Sequence, residues 1–262
     1  MERLVSPMEA FGLTGGEVIS LVGAGGKTTL MYALAREMAQ GGRLAVTTTT
    51  TKILPPSGEE SEVLLLDQEE ELLDQVSGCR GRYRVITVAR RSLDSGKLEG
   101  VRPEFVDRLA AMDDLSGIIV EGDGAARCSL KAPNATEPVI PATTELVIAV
   151  VGMQTLGCPL DYDHVFRAEI AAGLLGVPLG SKIGPSEIAG LITHPRGIAK
   201  GTPENARIVA FLNQVDLDGD LSKARETAQA ILSAGHSQIQ RVVIGEARKL
   251  SLLEVELTID GN

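Results

Sequence analysis

Short apolar runs rich in β-branched residues alternate along the chain with stretches of helical spacing. Buried strands are predicted at residues 17–22, 44–48, 63–66, 85–88, 118–120, 146–151, 208–212 and 242–244. The intervals 28–40, 69–76, 103–112, 165–175, 185–192 and 221–234 fit helices; in the first, Leu30, Leu34 and Met38 recur every four residues before Gly41-Gly42 closes it. Continuously apolar strands alternating with amphipathic helices imply a mainly parallel sheet covered on both faces. The expected fold is therefore three-layer α/β, a single domain over residues 1–262. Right-handed crossovers then bring the strand ends, and the loops that do chemistry, to one edge. Residues 55–62, polar with Pro55-Pro56 and Gly58, read as an exposed loop after the second strand.

The first strand runs into Gly23-Ala24-Gly25-Gly26-Lys27-Thr28-Thr29, which opens the first long helix. Small residues let successive N–H groups turn toward an anion, and the helix N-terminus adds partial positive charge. Lys27 can reach terminal phosphates and the Thr28 hydroxyl can hold Mg²⁺. Leu21 stands where the longer Walker form requires its first glycine, so the match is to the shorter Gly-x-x-Gly-Lys-Thr loop of Mur ligases and folylpolyglutamate synthetases. Val22 replaces the extra lysine of another subclass. Strand, loop and helix together predict a P-loop NTPase-like fold that binds a nucleoside triphosphate, ATP or GTP, with Mg²⁺.

Composition narrows the partners. A chain of 262 residues with 44% hydrophobic content can bury a sizeable core, while a net charge of −10 without a basic block argues against general nucleic-acid or anionic-membrane binding. Anionic ligands must be held locally. The N-terminus lacks a signal-type apolar run and residues 146–153 are too few to cross a bilayer, so the expectation is cytoplasmic. Cys79, Cys128 and Cys158 are widely spaced and signal neither a disulfide framework nor a zinc site. His164 and His194 lack metal-ligand spacing and read as structural or surface residues.

An acidic strand end follows at Glu121-Gly122-Asp123-Gly124. A parallel strand beside the glycine loop can deliver one carboxylate to Mg²⁺ and a second to the attacking group. Glu121 is assigned to the metal with Thr28, and Asp123 to the nucleophile, although either acid could serve the ion. The twenty residues 125–144 show no periodicity and carry Arg127 and Lys131, which could meet phosphate oxygens or an anionic acceptor. Two weaker signals remain. The threonines 47–51, followed by Lys52, sit where nucleotide-dependent switches place a sensing hydroxyl, though threonine also simply favours strands. Asn213-Gln214-Val215-Asp216 is similar to the Asn-Lys-x-Asp guanine motif, with Asp216 at the base edge and Asn213 assisting there and holding the loop; Gln214 replaces the lysine that stacks on the base.

The glycine loop, the threonine run with Lys52, Glu121–Gly124, Leu130-Lys131-Ala132-Pro133 with Glu137-Pro138-Val139-Ile140-Pro141, and Asn213-x-x-Asp216 together resemble the YqeC family over residues 16–245. That family is described as accessory proteins of selenium-dependent hydroxylases. The resemblance implies a role in maturing molybdenum hydroxylases, with the client enzyme or cofactor-assembly proteins as partners. Hydrolysis or transfer of a γ-phosphoryl group is the leading expectation. A nucleotide-gated docking module with negligible turnover is the alternative, and an ATP-dependent ligase ranks third because 262 residues leave little room for acceptor and closure domains.

Overall fold

The computed structural model describes residues 4–256; Met1–Arg3 and the last six residues of the expected domain lie outside that range. The predicted α/β alternation is present. A four-residue helix α1 (Pro7–Ala10) precedes β1 (Val18–Gly23) and α2 (Lys27–Met38), followed by β2 (Leu44–Thr49), β3 (Lys52–Ile53), β4 (Val63–Leu66) and α3 (Glu69–Cys79). Then come β5 (Val85–Ala89), β6 (Arg91–Ser92), β7 (Leu98–Glu99), α4 (Pro103–Ala110), β8 (Leu115–Glu121), β9 (Leu130–Lys131) and β10 (Leu146–Gly152). The chain continues through β11 (Val165–Phe166), α5 (Ala168–Leu175), α6 (Pro185–Thr193), β12 (Arg207–Asn213), α7 (Ser222–Ser233), β13 (Ile239–Glu246) and β14 (Ser251–Glu256).

Nine strands form the central sheet in the order β14-β13-β12-β10-β1-β8-β2-β5-β4, and all pair in parallel except β14. Alternate side chains of β1 serve opposite layers: Ile19 and Leu21 pack with α1 and α2, whereas Val18 and Val22 face the layer of α3 to α7. Those seven helices are the amphipathic partners the strands require on both faces.

The register aligns the strand ends that matter. Gly23 lies opposite Val150, Leu21 and Thr49 both opposite Glu121, and Gly152 opposite Asn213. One edge of the sheet therefore carries the glycine loop, the acidic pair and the Asn213 turn, with two small sheets (β3-β7-β6 and β11-β9) folded over it.

Two expectations are corrected. The helix predicted from residue 165 begins at Ala168; Val165–Phe166 instead pairs with Leu130–Lys131, and Arg167, at φ 64°, turns the chain into α5. The exposed loop at 55–62 leads out of β3 rather than directly from β2, because Lys52–Ile53 joins the small sheet against Leu98–Glu99.

Candidate functional site

The glycine loop is built by close approach. Gly25, at φ 86°, passes so near β10 that a Cβ there would lie 2.4 Å from the Gly152 nitrogen, so no other residue fits without displacing the strand end. Asn213 fastens the loop from the far side: its Nδ2 donates to the Gly25 carbonyl at 2.6 Å, and its Oδ1 accepts from Ala247 N–H at 2.9 Å. Asn213 is a strut between β12, the loop and the β13–β14 turn, and both of its side-chain polar atoms are spent on backbone groups rather than turned to a base edge. The N-cap of α2 is Gly26, which has no side chain to cap the helix, so the first-turn N–H groups of Lys27, Thr28 and Thr29 have no side-chain acceptor.

Lys27, nearly fully buried, donates to the Gly23 carbonyl at 2.7 Å and lies 3.2 Å from Asp123 Oδ1 and 3.8 Å from Glu121 Oε1. Burial alone would lower its pKa; the charges of Asp123 and Glu121 outweigh that and hold the ammonium above its ordinary range. Glu121 behaves oppositely: burial raises its carboxyl pKa more than Lys27 and the hydrogen bond from Thr28 lower it. Thr28 Oγ1 donates to Glu121 Oε2 at 2.7 Å, which sets a hydroxyl and a carboxylate side by side.

Asp123 departs from its expected task. The sequence predicts it on the attacking group, yet its side chain is fully buried, with Oδ2 accepting from Gly23 N–H at 3.2 Å and in ion contact with Lys131 Nζ at 2.8 Å. Oδ1 has the ion contact with Lys27 but no hydrogen bond. Lys131 departs likewise: rather than facing an acceptor or solvent, it is wholly buried between Asp123, Glu137 at 3.2 Å and the Gly124 carbonyl. Glu137 continues the series to Arg167 at 2.7 Å. Burial raises the Glu137 pKa, but hydrogen bonds and charge from Arg167 and Lys131 prevail and hold it below the usual carboxylate range. Alternating charges thus run Glu121, Lys27, Asp123, Lys131, Glu137, Arg167. Glu137 belongs to the Glu137–Pro141 segment of the resemblance without a role assigned to it, and a lysine between Leu130 and Ala132 was a signal for it, since a buried ammonium requires acids; Arg167 carries no motif of its own.

A cavity of about 340 Å³ opens over the loop, lined by residues including Gly25–Thr29, Glu121, Arg127, Cys128 and Gln214. Arg127, exposed and at φ 66°, stands at this opening. Cys128 is half-buried, and burial pushes its thiol pKa up. An adjoining cavity of about 350 Å³ shares Gly26, Thr29 and Gln214 and is lined by Asn213, Asp216 and Arg248. Asp216 is exposed there and caps its own turn, Oδ1 accepting from Asp218 N–H at 3.2 Å. Gln214 Oε1 accepts from Ser129 Oγ at 3.1 Å. Of the threonine run, Thr47 and Thr48 spend their hydroxyls on the carbonyls of Ile86 and Val88, and Thr49 and Thr50 on those of Glu121 and Val139. They fasten strand ends.

The edge thus offers helix-terminal N–H groups and a lysine for an anion, and hard oxygen donors at Thr28 and Glu121 for a small divalent cation. Among the described residues, no three His, Cys, Asp or Glu side chains gather as a metal cage, and no helix is long and apolar enough to cross a membrane.

The YqeC protein family model matches residues 19–169, a span that contains the glycine loop, both acids, Lys131, Glu137 and Arg167. A curated relative from Escherichia coli (strain K12), named uncharacterized protein YqeC, is 33% identical over 201 residues, covering 75% of each chain. The chain therefore belongs to the YqeC family.

Proposed function

We propose that this protein is a Mg²⁺-dependent nucleoside triphosphate-binding protein that hydrolyses the nucleotide or transfers its γ-phosphoryl group while assisting the maturation of selenium-dependent molybdenum hydroxylases in the cytoplasm. The observation that carries the nucleotide reading is the uncapped N-terminus of α2, with Lys27 fully charged beneath the glycine loop. In this reading the amides of residues 23–29 and Lys27 hold the β- and γ-phosphates. Thr28 and Glu121 would hold Mg²⁺, whose preference for one or two protein oxygens plus phosphates and water suits this sparse donor set. The ion would neutralise charge developing on the phosphates. Asp123 is a positioning residue that fixes Lys27 and the Gly23 amide, and Lys131 stands behind Asp123. Arg127 is the group placed to meet the acceptor, and Asp216 accepts from donors at the base edge, which favours GTP over ATP.

In transfer, a water or acceptor oxygen forms a bond to the γ-phosphorus while the bond to the β–γ bridging oxygen breaks. The nucleoside diphosphate leaves with the electron pair, and the nucleophile's proton passes to solvent or phosphate. Asp123 is committed to two lysines, and among the described residues Glu121 is the one acid lining the loop cavity. That observation favours slow unassisted turnover and gives weight to the second reading, a nucleotide-gated module that docks a client enzyme.

Calorimetric titration with ATP and GTP analogues, with and without Mg²⁺, tests the core of the proposal. Wild type is expected to bind one of them only with Mg²⁺, and Lys27→Ala to lose tight binding. Equal affinity of the two proteins would remove the assignment. Phosphate release with and without a candidate client then separates enzyme from switch.

A further inference from the structure

Beyond the glycine-loop cavity lies a larger one of about 590 Å³, lined by Lys52, Arg90, Lys97, Arg102 and Arg167 against only Glu99 and Glu137. In a chain of net charge −10 this is a local reversal of sign. Both acids already have partners: Glu137 is held by Lys131 and Arg167, and Glu99 by Arg91, with Arg90 3.9 Å away. Arg102 is matched with Glu69 at 2.6 Å, outside the cavity lining. Lys52 and Lys97 make no ion pair among the described residues, Lys52 acting on Glu99 only at longer range, so the surplus is not internally cancelled.

The wall that presents these cations is fixed. Lys52 and Glu99 sit opposite one another in the small antiparallel sheet, whose Ile53 and Leu98 are buried in the core beneath β2. A Cβ at Gly100 would fall 2.2 Å from the Thr49 carbonyl oxygen, because the chain leaving β7 lies directly on the end of β2. The opposite wall is Phe166, with the Arg167 guanidinium 4.4 Å from its ring centroid. Lys52, Lys97, Gly124 and Ala126 line both this cavity and the one over the loop, so the two open onto each other.

We propose that this larger cavity binds a phosphomonoester. Two unpaired lysines beside a loosely paired arginine match a dianionic headgroup better than a single carboxylate. The space far exceeds that of an inorganic anion, and Val101, Pro103 and Phe166 provide an apolar surface for an organic moiety. The ester's role as the partner of a bound triphosphate rests on the function proposed above; the site itself does not.

The test is an NMR amide titration of the full-length protein with glycerol 2-phosphate in the absence of nucleotide, followed by calorimetry. Shifts are expected at residues 97–102 and 166–167, with those at 25–29 unchanged. In an Arg90→Gln/Lys97→Gln variant, whose native side chains are half-buried at Arg90 and exposed at Lys97, affinity should fall about tenfold or more. Shifts confined to residues 25–29, absence of binding, undiminished affinity in the variant, or equally tight binding of malonate would each overturn the proposal. Triphosphate titration of the same wild-type sample reports separately on the glycine loop, so failure of one site is not mistaken for failure of the other.

Discussion

Replacing Lys131 with methionine probes the buried charges most directly, because it keeps the aliphatic stem and deletes only the ammonium. In the native protein that ammonium is wholly buried, 2.8 Å from Asp123 and 3.2 Å from Glu137. Removing one partner of a buried ion pair typically costs about 3–5 kcal/mol, since the other charge is stranded. Here both acids retain a second cation, Lys27 at 3.2 Å from Asp123 and Arg167 at 2.7 Å from Glu137, which argues for the lower end, about 3 kcal/mol. For a chain of this length that corresponds to a loss of about 5 °C in Tm. An exposed pair offers the contrast: Lys223→Met, which breaks the surface contact with Glu226 at 2.7 Å, should cost less than about 0.5 kcal/mol. Differential scanning calorimetry of both variants, with Asp123→Asn and the Asp123→Asn/Lys131→Met double variant completing a thermodynamic cycle, measures the coupling. The double variant should lose clearly less than the two single losses added together. A Lys131→Met protein as stable as wild type, or strictly additive losses, would refute the reasoning.

Other outcomes follow from the same geometry. Glu121 has a raised pKa, so its ionised form is less favourable in the fold than in the unfolded chain and costs stability at neutral pH, a cost relieved as pH falls through the folded value. Glu121→Gln should therefore raise the Tm of the ligand-free protein at pH 7 while abolishing the Mg²⁺ dependence of triphosphate binding; a lowered Tm would contradict the first half. Glu17 and Glu137 have the opposite sign: their carboxylates are held below the ordinary range, Glu17 by Thr14 and Gly15 donors that outweigh its burial, so both stabilise above the unfolded pKa of about 4.3 and that contribution disappears as pH falls through the folded values. Urea midpoints measured from pH 6 downward should drop less steeply in Glu17→Gln than in wild type. Gly25→Ala forces a methyl into the Gly152 backbone at a left-handed φ and should cost about 2 kcal/mol or more, with triphosphate affinity lost even where the variant stays folded by circular dichroism.

The central strands were readable because a parallel strand covered on both faces is apolar at every position, and β10, the sequence Leu-Val-Ile-Ala-Val-Val-Gly, is buried throughout. β8, β10 and β12 are longer in the structure than their apolar runs, since flanking residues such as Glu121 and Asn213 continue the ladder while carrying polar side chains. The antiparallel edge strand β14 falls where Ser251-Leu252-Leu253 gives only a brief apolar signal, and it went unpredicted. The two-residue strands β3, β6 and β7 are too short to show any period; they exist because Gly100 lets one backbone lie on another. At the site, local motifs put the loop between β1 and α2 and Glu121 at a strand end, where the structure has them. The burial of Asp123 and Lys131 was not legible, because burial is decided by which segments fold over the strand ends, here β9, β11 and the 133–141 loop.

That burial carries information about mechanism. A buried series of alternating charges is a poor device for stability, because desolvation of each ion offsets most of the attraction between them. Its geometry does something apolar packing could not: it links Lys27 under the glycine loop to Arg167 on the wall of the larger cavity through groups each within about 3 Å of the next. Drawing Lys27 toward an added polyanion would leave Asp123 more dependent on Lys131, which would in turn loosen Lys131 from Glu137 and leave Arg167 as that acid's principal cation. Occupancy of one cavity is thereby expected to alter the electrostatics of the other without any movement of the sheet. Reciprocity follows from linkage, so the ester probe should change triphosphate affinity by the same factor that triphosphate changes ester affinity. In Lys131→Met the series is cut at its centre, and that factor should collapse toward one even if both ligands still bind.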